Sequence, residues 1–293
     1  MRAARWFAAV AGLFWGATVA AGPFGLPIGG DDSGGGGTLD LGGLIDSASK
    51  AFGDVAPEEE RRIGREAAAV LLGAVPLVDD PAAQAYVNRV GRWVALQTER
   101  PDIDWQFGVL DTDDVNAFAA PGGYVFITRG LLVRLRNEAE LAGVLAHECA
   151  HVLKHHHLAA VKEKARLDLA LTAAGAAADE DERQALDRVS GGFKELYARG
   201  LDKEDEYQAD RMGVVIAARA GYDPFGLVGS LQTLAAMGPE DSALAFMFKT
   251  HPAPTARLER LDSTFPTLEG YADQPRAAGR FREAVAGLAP DTE

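Results

Sequence analysis

A single cysteine, Cys149, leaves the chain no intrachain disulfide, so packing alone must hold its fold. Positive charge is also in short supply. Lysine and arginine number 29 against 43 aspartates and glutamates, a formal net charge of −14. That sign repels nucleic acid and anionic lipid and excludes partners recruited by a basic surface. Long apolar runs are scarce too. The one at residues 6–20 follows Arg2 and Arg5 and ends in Val19-Ala20-Ala21, small residues of the kind found at cleavage sites. Residues 1–21 therefore read as a secretory signal peptide. The other reading is an uncleaved N-terminal anchor, the only route to membrane association, but the stretch is short for a span. No cysteine follows it, which excludes a lipoprotein signal. Residues 165–178 are shorter still and carry Arg166 and Asp168, so they read as a packed helix. Export without disulfides fits a bacterial periplasm.

Residues 22–55 hold Gly34 to Gly37 with no Lys-Ser/Thr after them, so they form a flexible tether and not a phosphate loop. The folded domain is expected over 56–265, followed by a tail, 266–293, with a short helix near its end. Helices are predicted at 58–72 and from Asp80-Pro81, where Tyr86, Val87, Val90 and Val94 share a face. Alternation at Trp105, Phe107 and Val109 predicts a strand, residues 111–114 a turn, and Tyr124 to Thr128 a second strand after Pro121-Gly122-Gly123. A short helix over 131–136 leads into a longer one. Beyond 157 the pattern predicts further helix, interrupted by the acidic run 179–182 and resuming to about Tyr197. The class is α+β, predominantly helical, with a small β-sheet.

The longer helix carries His147-Glu148-Cys149-Ala150-His151, an H-E-x-x-H pattern. Asn137 and Glu140 make a capping box at its start, and its apolar positions continue at helical spacing to 157. Residues four apart share a helix face, so both imidazoles reach one metal ion. Glu148 lies about 100° round from His147, beside the metal, where it can take a proton from a water there. Cys149 reads as a small core residue.

Two imidazoles need a third ligand. His157 stands at the spacing of H-E-x-x-H-x-x-G-x-x-H, but Lys154 occupies the glycine position that would bend the chain. A straight helix points His157 away and leaves His155, His156 and His157 as helix-surface residues, with a second metal site as the alternative. The other candidate is the pair Glu206 and Asp210, four apart on a predicted helix running to Ala220. One carboxylate of that pair can bind the metal while the other orients a ligand histidine.

His147-Glu148-x-x-His151 followed by Glu206-Tyr207-x-Ala209-Asp210 resembles the gluzincin metallopeptidase family 48, the family of HtpX, BepA, Oma1-type and CAAX prenyl proteases. Asn116-Ala117-Phe118-Ala119-x-Pro121-Gly122-Gly123, the run Asn137 to Ala142, and Thr250-His251-Pro252 with Arg257 match it as well. The resemblance covers roughly 56–265 and implies a zincin-like domain with one Zn2+ per chain. It makes His147, His151 and Glu206 the ligands, Glu148 the general base and Asp210 the group behind a ligand. His251 and Arg257 flank the site as oxyanion donors; alternatively, His251 takes the fourth zinc position and holds the enzyme idle. Asn116, Ala117 and Phe118, with Tyr124 and Phe126 on an exposed edge strand, are expected to bind substrate by backbone pairing. Neither membrane spans of the HtpX kind nor an appended tetratricopeptide array is expected. The implied activity is endopeptidase action on unfolded or misfolded polypeptides, in envelope quality control. The rival reading is a zinc-stabilised chaperone that does not cut.

Overall fold

The computed structural model describes residues 56–163, 199–238 and 240–288. The expected signal peptide, tether and helices within 165–197 lie outside the described residues.

Helix α1, Pro57–Ala74, and helix α2, Pro81–Ala95, both begin with proline, whose fixed φ suits the first turn. The Asp80 carboxylate caps α2 by accepting from the Ala82 and Ala83 amides at 2.9 and 3.1 Å. Tyr86, Val87, Val90 and Val94 are buried along one face of α2. A three-stranded sheet follows: β1, Gln106–Leu110, β2, Ala117–Ala120, and β3, Tyr124–Thr128, in the order β1-β3-β2. β1 runs parallel to β3, and β2 antiparallel to it, with Phe118 opposite Phe126. Gly122 and Gly123 take φ of 71° and 96°, the left-handed region that reverses the chain between β2 and β3.

Helices cover both faces of this sheet. Phe107, Val109, Val125 and Ile127 join the main core with α2, whereas Leu110, Phe118, Tyr124 and Phe126 pack with Ile63 and Ala67 of α1. Two buried faces explain why β1 shows no polar alternation beyond Gln106. They also correct one expectation. Tyr124 to Thr128 is the central strand and wholly buried, because β2 takes the side that the sequence pattern left open.

Helix α3, Glu138–Leu153, is buried on all sides. Asn137 accepts from the Glu140 amide at 3.0 Å, and the Glu140 carboxylate accepts in turn from the Arg136 amide at 2.8 Å. Helix α4, Lys203–Arg219, and helix α5, Gly226–Met237, both pack against α3. Glycine lets both helices approach α3 closely. A Cβ on Gly143 would stand 2.6 Å from the Leu227 amide nitrogen, and one on Gly213 only 3.1 Å from that of His147. Helix α6, Pro254–Leu261, packs on α4 and α5, and helix α7, Ala278–Val285, returns Phe281 to the main core beside Tyr86. The result is a predominantly helical α+β domain with one small sheet. Among the described residues, no helix is long and apolar enough to cross a membrane.

A second expectation is corrected at the end of α3. The helix stops at Leu153, and His155 takes a φ of +55° before a new helix starts at residue 156. Neither Gly nor Pro marks this break. The His155 amide donates to the Val152 carbonyl at 3.0 Å, and a distant part of the chain meets the turn: His155 Nδ1 lies 3.0 Å from Glu60 Oε1 of α1.

Candidate metal centre

His147 and His151 sit one turn apart on α3, with their Nε2 atoms 3.1 Å from each other. Glu206 enters from the first turns of α4 and straddles them. Its Oε2 is 3.7 Å from His147 Nε2, and its Oε1 is 3.5 Å from His151 Nε2. His251 follows a single helical turn, Met247–Thr250, and places Nδ1 2.6 Å from Glu206 Oε2. One donor atom each from His147, Glu206 and His251 lie within 4.8 Å of one another. Four residues predicted to be at or beside the metal thus converge from α3, α4 and the loop before α6.

Glu206 is fully buried, yet its Oε1 has no hydrogen-bond partner. Leaving a buried carboxylate oxygen unpaired is costly. A cation held by this carboxylate and the two imidazoles removes the cost, and a His/His/Glu donor set suits a divalent first-row ion. The residues present therefore fit a resident metal.

Asp210, one turn beyond Glu206 on α4, places Oδ1 3.0 Å from His147 Nδ1. Arg257 of α6 closes on the same carboxylate, Nε to Oδ2 at 2.9 Å and Nη2 to Oδ1 at 2.5 Å. Burial works against the charged form of Asp210, but the Arg257 guanidinium beside it prevails and holds its carboxyl well below the usual range. Two of the three guanidinium nitrogens are committed to Asp210.

Glu148 is 2% exposed and borders two small cavities, which Ala117 and His251 also line. Burial pushes its carboxyl up. Asn116 lines the first cavity and donates from Nδ2 to Thr250 Oγ1 at 3.3 Å, and Phe118 lines the second. Tyr124 and Phe126 are not brought to the site. Strand alternation turns them toward α1, and β3 has no open edge for a substrate strand.

The three histidines after α3 also differ from expectation. Only His155 is half-exposed. The break at residues 154–155 turns His156 and His157 inward, both less than 10% exposed. His156 Nδ1 lies 2.9 Å from His151 Nδ1, and its Nε2 lies 2.9 Å from Gln208 Oε1. His157 borders the second cavity with Glu148 and Glu206, and burial pulls its ring down to about 3. Sequence reasoning placed these two on the surface. On α4, Asp205 and Gln208 face His156.

The family model for Peptidase family M48 matches residues 81–265. Among curated proteins, the chain is 28% identical over 223 residues to a beta-barrel assembly-enhancing protease of Escherichia coli strain K12, covering 73% of this chain and 45% of that protein. It is 27% identical over 227 residues to the mitochondrial metalloendopeptidase OMA1 of Schizosaccharomyces pombe, covering 76% and 66%. It is 34% identical over 159 residues to metalloprotease YcaL of Escherichia coli strain K12, covering 53% and 60%. The chain thus spans a little under half the length of the first of these relatives.

Proposed function

The chain belongs to peptidase family M48 and is a metallopeptidase, and from that premise we propose that it is a zinc-dependent endopeptidase that cuts unfolded or misfolded polypeptides in the cell envelope. The observation that carries the metal reading is the unpaired Glu206 Oε1, 3.5 Å from His151 Nε2, beside two imidazole Nε2 atoms 3.1 Å apart. Envelope quality control is supported by the name and organism of the beta-barrel assembly-enhancing relative, and a periplasmic location by the apolar N-terminal stretch.

His147, His151 and Glu206 would hold the ion. When bound, zinc would supply a Lewis acid for the scissile carbonyl. Glu148, beside His147 on α3, would take a proton from the attacking water and pass it to the departing amine. Its burial suits this work, because a carboxylate short of solvent accepts a proton more readily. His251 donates toward the negative charge developing on the carbonyl oxygen. Arg257 is assigned a different part: it holds Asp210 against His147. The substrate backbone passes Asn116, Ala117 and Phe118 where they line the two cavities.

Zinc content and casein cleavage, measured together, test the ligand assignments. Chelation is expected to abolish cleavage and zinc to restore it. Glu206→Gln is expected to lose both metal and activity on dialysis. His251→Ala is expected to keep its zinc and lose about 10²- to 10³-fold in kcat. A gain in activity for His251→Ala would instead make His251 the latch of an idle form. Metal retained in full by Glu206→Gln would remove Glu206 from the ligand set.

The substrate path has its own test. Ala117→Leu adds three carbons where both cavities meet Glu148. It is expected to raise KM about tenfold with zinc content unchanged. An unchanged KM places the substrate elsewhere.

A further inference from the structure

We infer that His156 positions the ligand His151 through a one-way chain of hydrogen bonds ending on Gln208, the counterpart of the Asp210 contact behind His147. This rests on the metal site proposed above.

Its geometric origin is the break after α3. Had the helix continued, residue 156 would lie about 7.5 Å along the axis and about 140° round from His151. Because His155 adopts a φ of +55° instead, His156 swings back over the last turn of α3, and the two Nδ1 atoms meet at 2.9 Å. The rings stand edge to face, 73° apart, with centroids 5.0 Å apart.

The proton positions along this chain follow from the acceptors at its two ends. His151 turns Nε2 to the site, 3.1 Å from His147 Nε2 and 3.5 Å from Glu206 Oε1. A ring that offers Nε2 as a lone pair carries its proton on Nδ1. His151 Nδ1–H therefore donates, and His156 Nδ1 accepts. That places the second proton on His156 Nε2, which faces Gln208 Oε1 at 2.9 Å, with Asp205 Oδ1 at 3.5 Å. The Asp205 carboxylate beside this nitrogen can only accept, so the reverse direction would set a nitrogen lone pair against it. Both ends thus demand the same tautomers. A partner on the far nitrogen fixes a ligand ring's orientation and raises its basicity. Asp210 does this for His147, and His156 does it for His151.

One helix supplies all the fixed ends. Glu206, Gln208 and Asp210 lie within five residues of α4: the carboxylate that faces the ion and the final acceptor behind each imidazole. α4 reaches α3 closely enough because Gly213 presents no side chain to the His147 backbone. His156 lines neither cavity beside Glu148 and touches no substrate, so it is a positioning residue.

The test is zinc affinity of the full chain, read by competition with a chromophoric chelator, for the wild type, His156→Leu and His156→Asn. Asparagine places Oδ1 where the ring places Nδ1, so it keeps the acceptor, and leucine removes it. His156→Leu is expected to weaken zinc binding about 10- to 100-fold. His156→Asn, which keeps the acceptor and loses only the contact with Gln208, is expected to lie between wild type and leucine, at most about tenfold weaker. A role in packing alone predicts the opposite pattern, with apo-protein melting shifted and zinc affinity alike in the two variants. If His156→Leu does not fold, Gln208→Leu, at a half-buried position, removes the last acceptor and is expected to weaken zinc about tenfold. Unaltered zinc affinity in the leucine variant overturns the inference, and so does an asparagine variant as weak as leucine. A wild type that takes up no zinc overturns the metal reading and this inference with it.

Discussion

Glu148→Gln is expected to cut peptide hydrolysis by about 10²- to 10⁴-fold while leaving bound zinc in place. Glutamine keeps the shape of the side chain but cannot take up a proton. Glu148 is not one of the three ligands proposed above, so zinc binding is not expected to depend on it. The expected effect on stability has the opposite sign. Burial raises the folded-state pKa of Glu148 above its unfolded value. A carboxyl shifted that way costs no stability at low pH, where it is protonated in both states. Above its folded pKa it penalises folding, because the charged form is buried. Glu148→Gln should therefore melt at the same temperature as the wild type or higher at neutral pH. Measuring cleavage, zinc and melting on one preparation separates the possibilities. Lost cleavage with retained zinc and an undiminished melting temperature is the signature of a base. Equal fragment yields from mutant and wild type would favour a metal-stabilised binder of unfolded chains, and a lowered melting temperature would trace the loss to unfolding.

The residues legible in the sequence are those whose partners lie a fixed number of positions away. His147 and His151 share a helix face because they are four apart, and Glu206 and Asp210 share one for the same reason. Both pairs stand on helices whose starts were also legible. What spacing could not supply is the contact between elements distant in sequence. No Gly or Pro stops α3 at Leu153; the turn is closed by the His155 amide on the Val152 carbonyl and contacts Glu60, 95 residues before His155. The same turn brings His156 and His157 inward, which no straight-helix reading could foresee. β2 was missed because Ala117-Phe118-Ala119-Ala120 carries no β-branched residue, and pairing with β3 alone makes it a strand. Once β2 is in place, β3 is central, and the expected edge at Tyr124 and Phe126 disappears. Glu138 and Glu140 stand in the first turn of α3, and both are buried. Glu138 accepts from the Tyr86 and Tyr222 hydroxyls at 2.7 and 2.6 Å and pairs with Arg280, partners spread from α2 to α7.

Arg257→Met is expected to cost about 3–5 kcal/mol of folding stability, because it strands the Asp210 carboxylate. Both partners are buried, with side chains 6% and 1% exposed, and the guanidinium is the only cation within ion-pair distance of Asp210 among the described residues, apart from the imidazole of His147. The pH dependence follows from the direction of the Asp210 shift. Its folded-state pKa lies below the unfolded value, so it contributes stability above the unfolded pKa and loses it as pH falls through the folded one. The gap between wild type and Arg257→Met should be widest near neutrality and should narrow in acid. Adding Asp210→Asn to Arg257→Met should recover part of the loss, since no charge is then left unpaired, while the Asn oxygen can still accept from His147 Nδ1. Urea denaturation of the two single variants and the double variant gives the coupling directly. The same series decides what Arg257 does. As the clamp on Asp210, its loss moves stability and zinc affinity together. As an oxyanion donor, its loss would cost less than about 1 kcal/mol of stability and about 10²- to 10³-fold in kcat, and the assignment of Arg257 to positioning would fall.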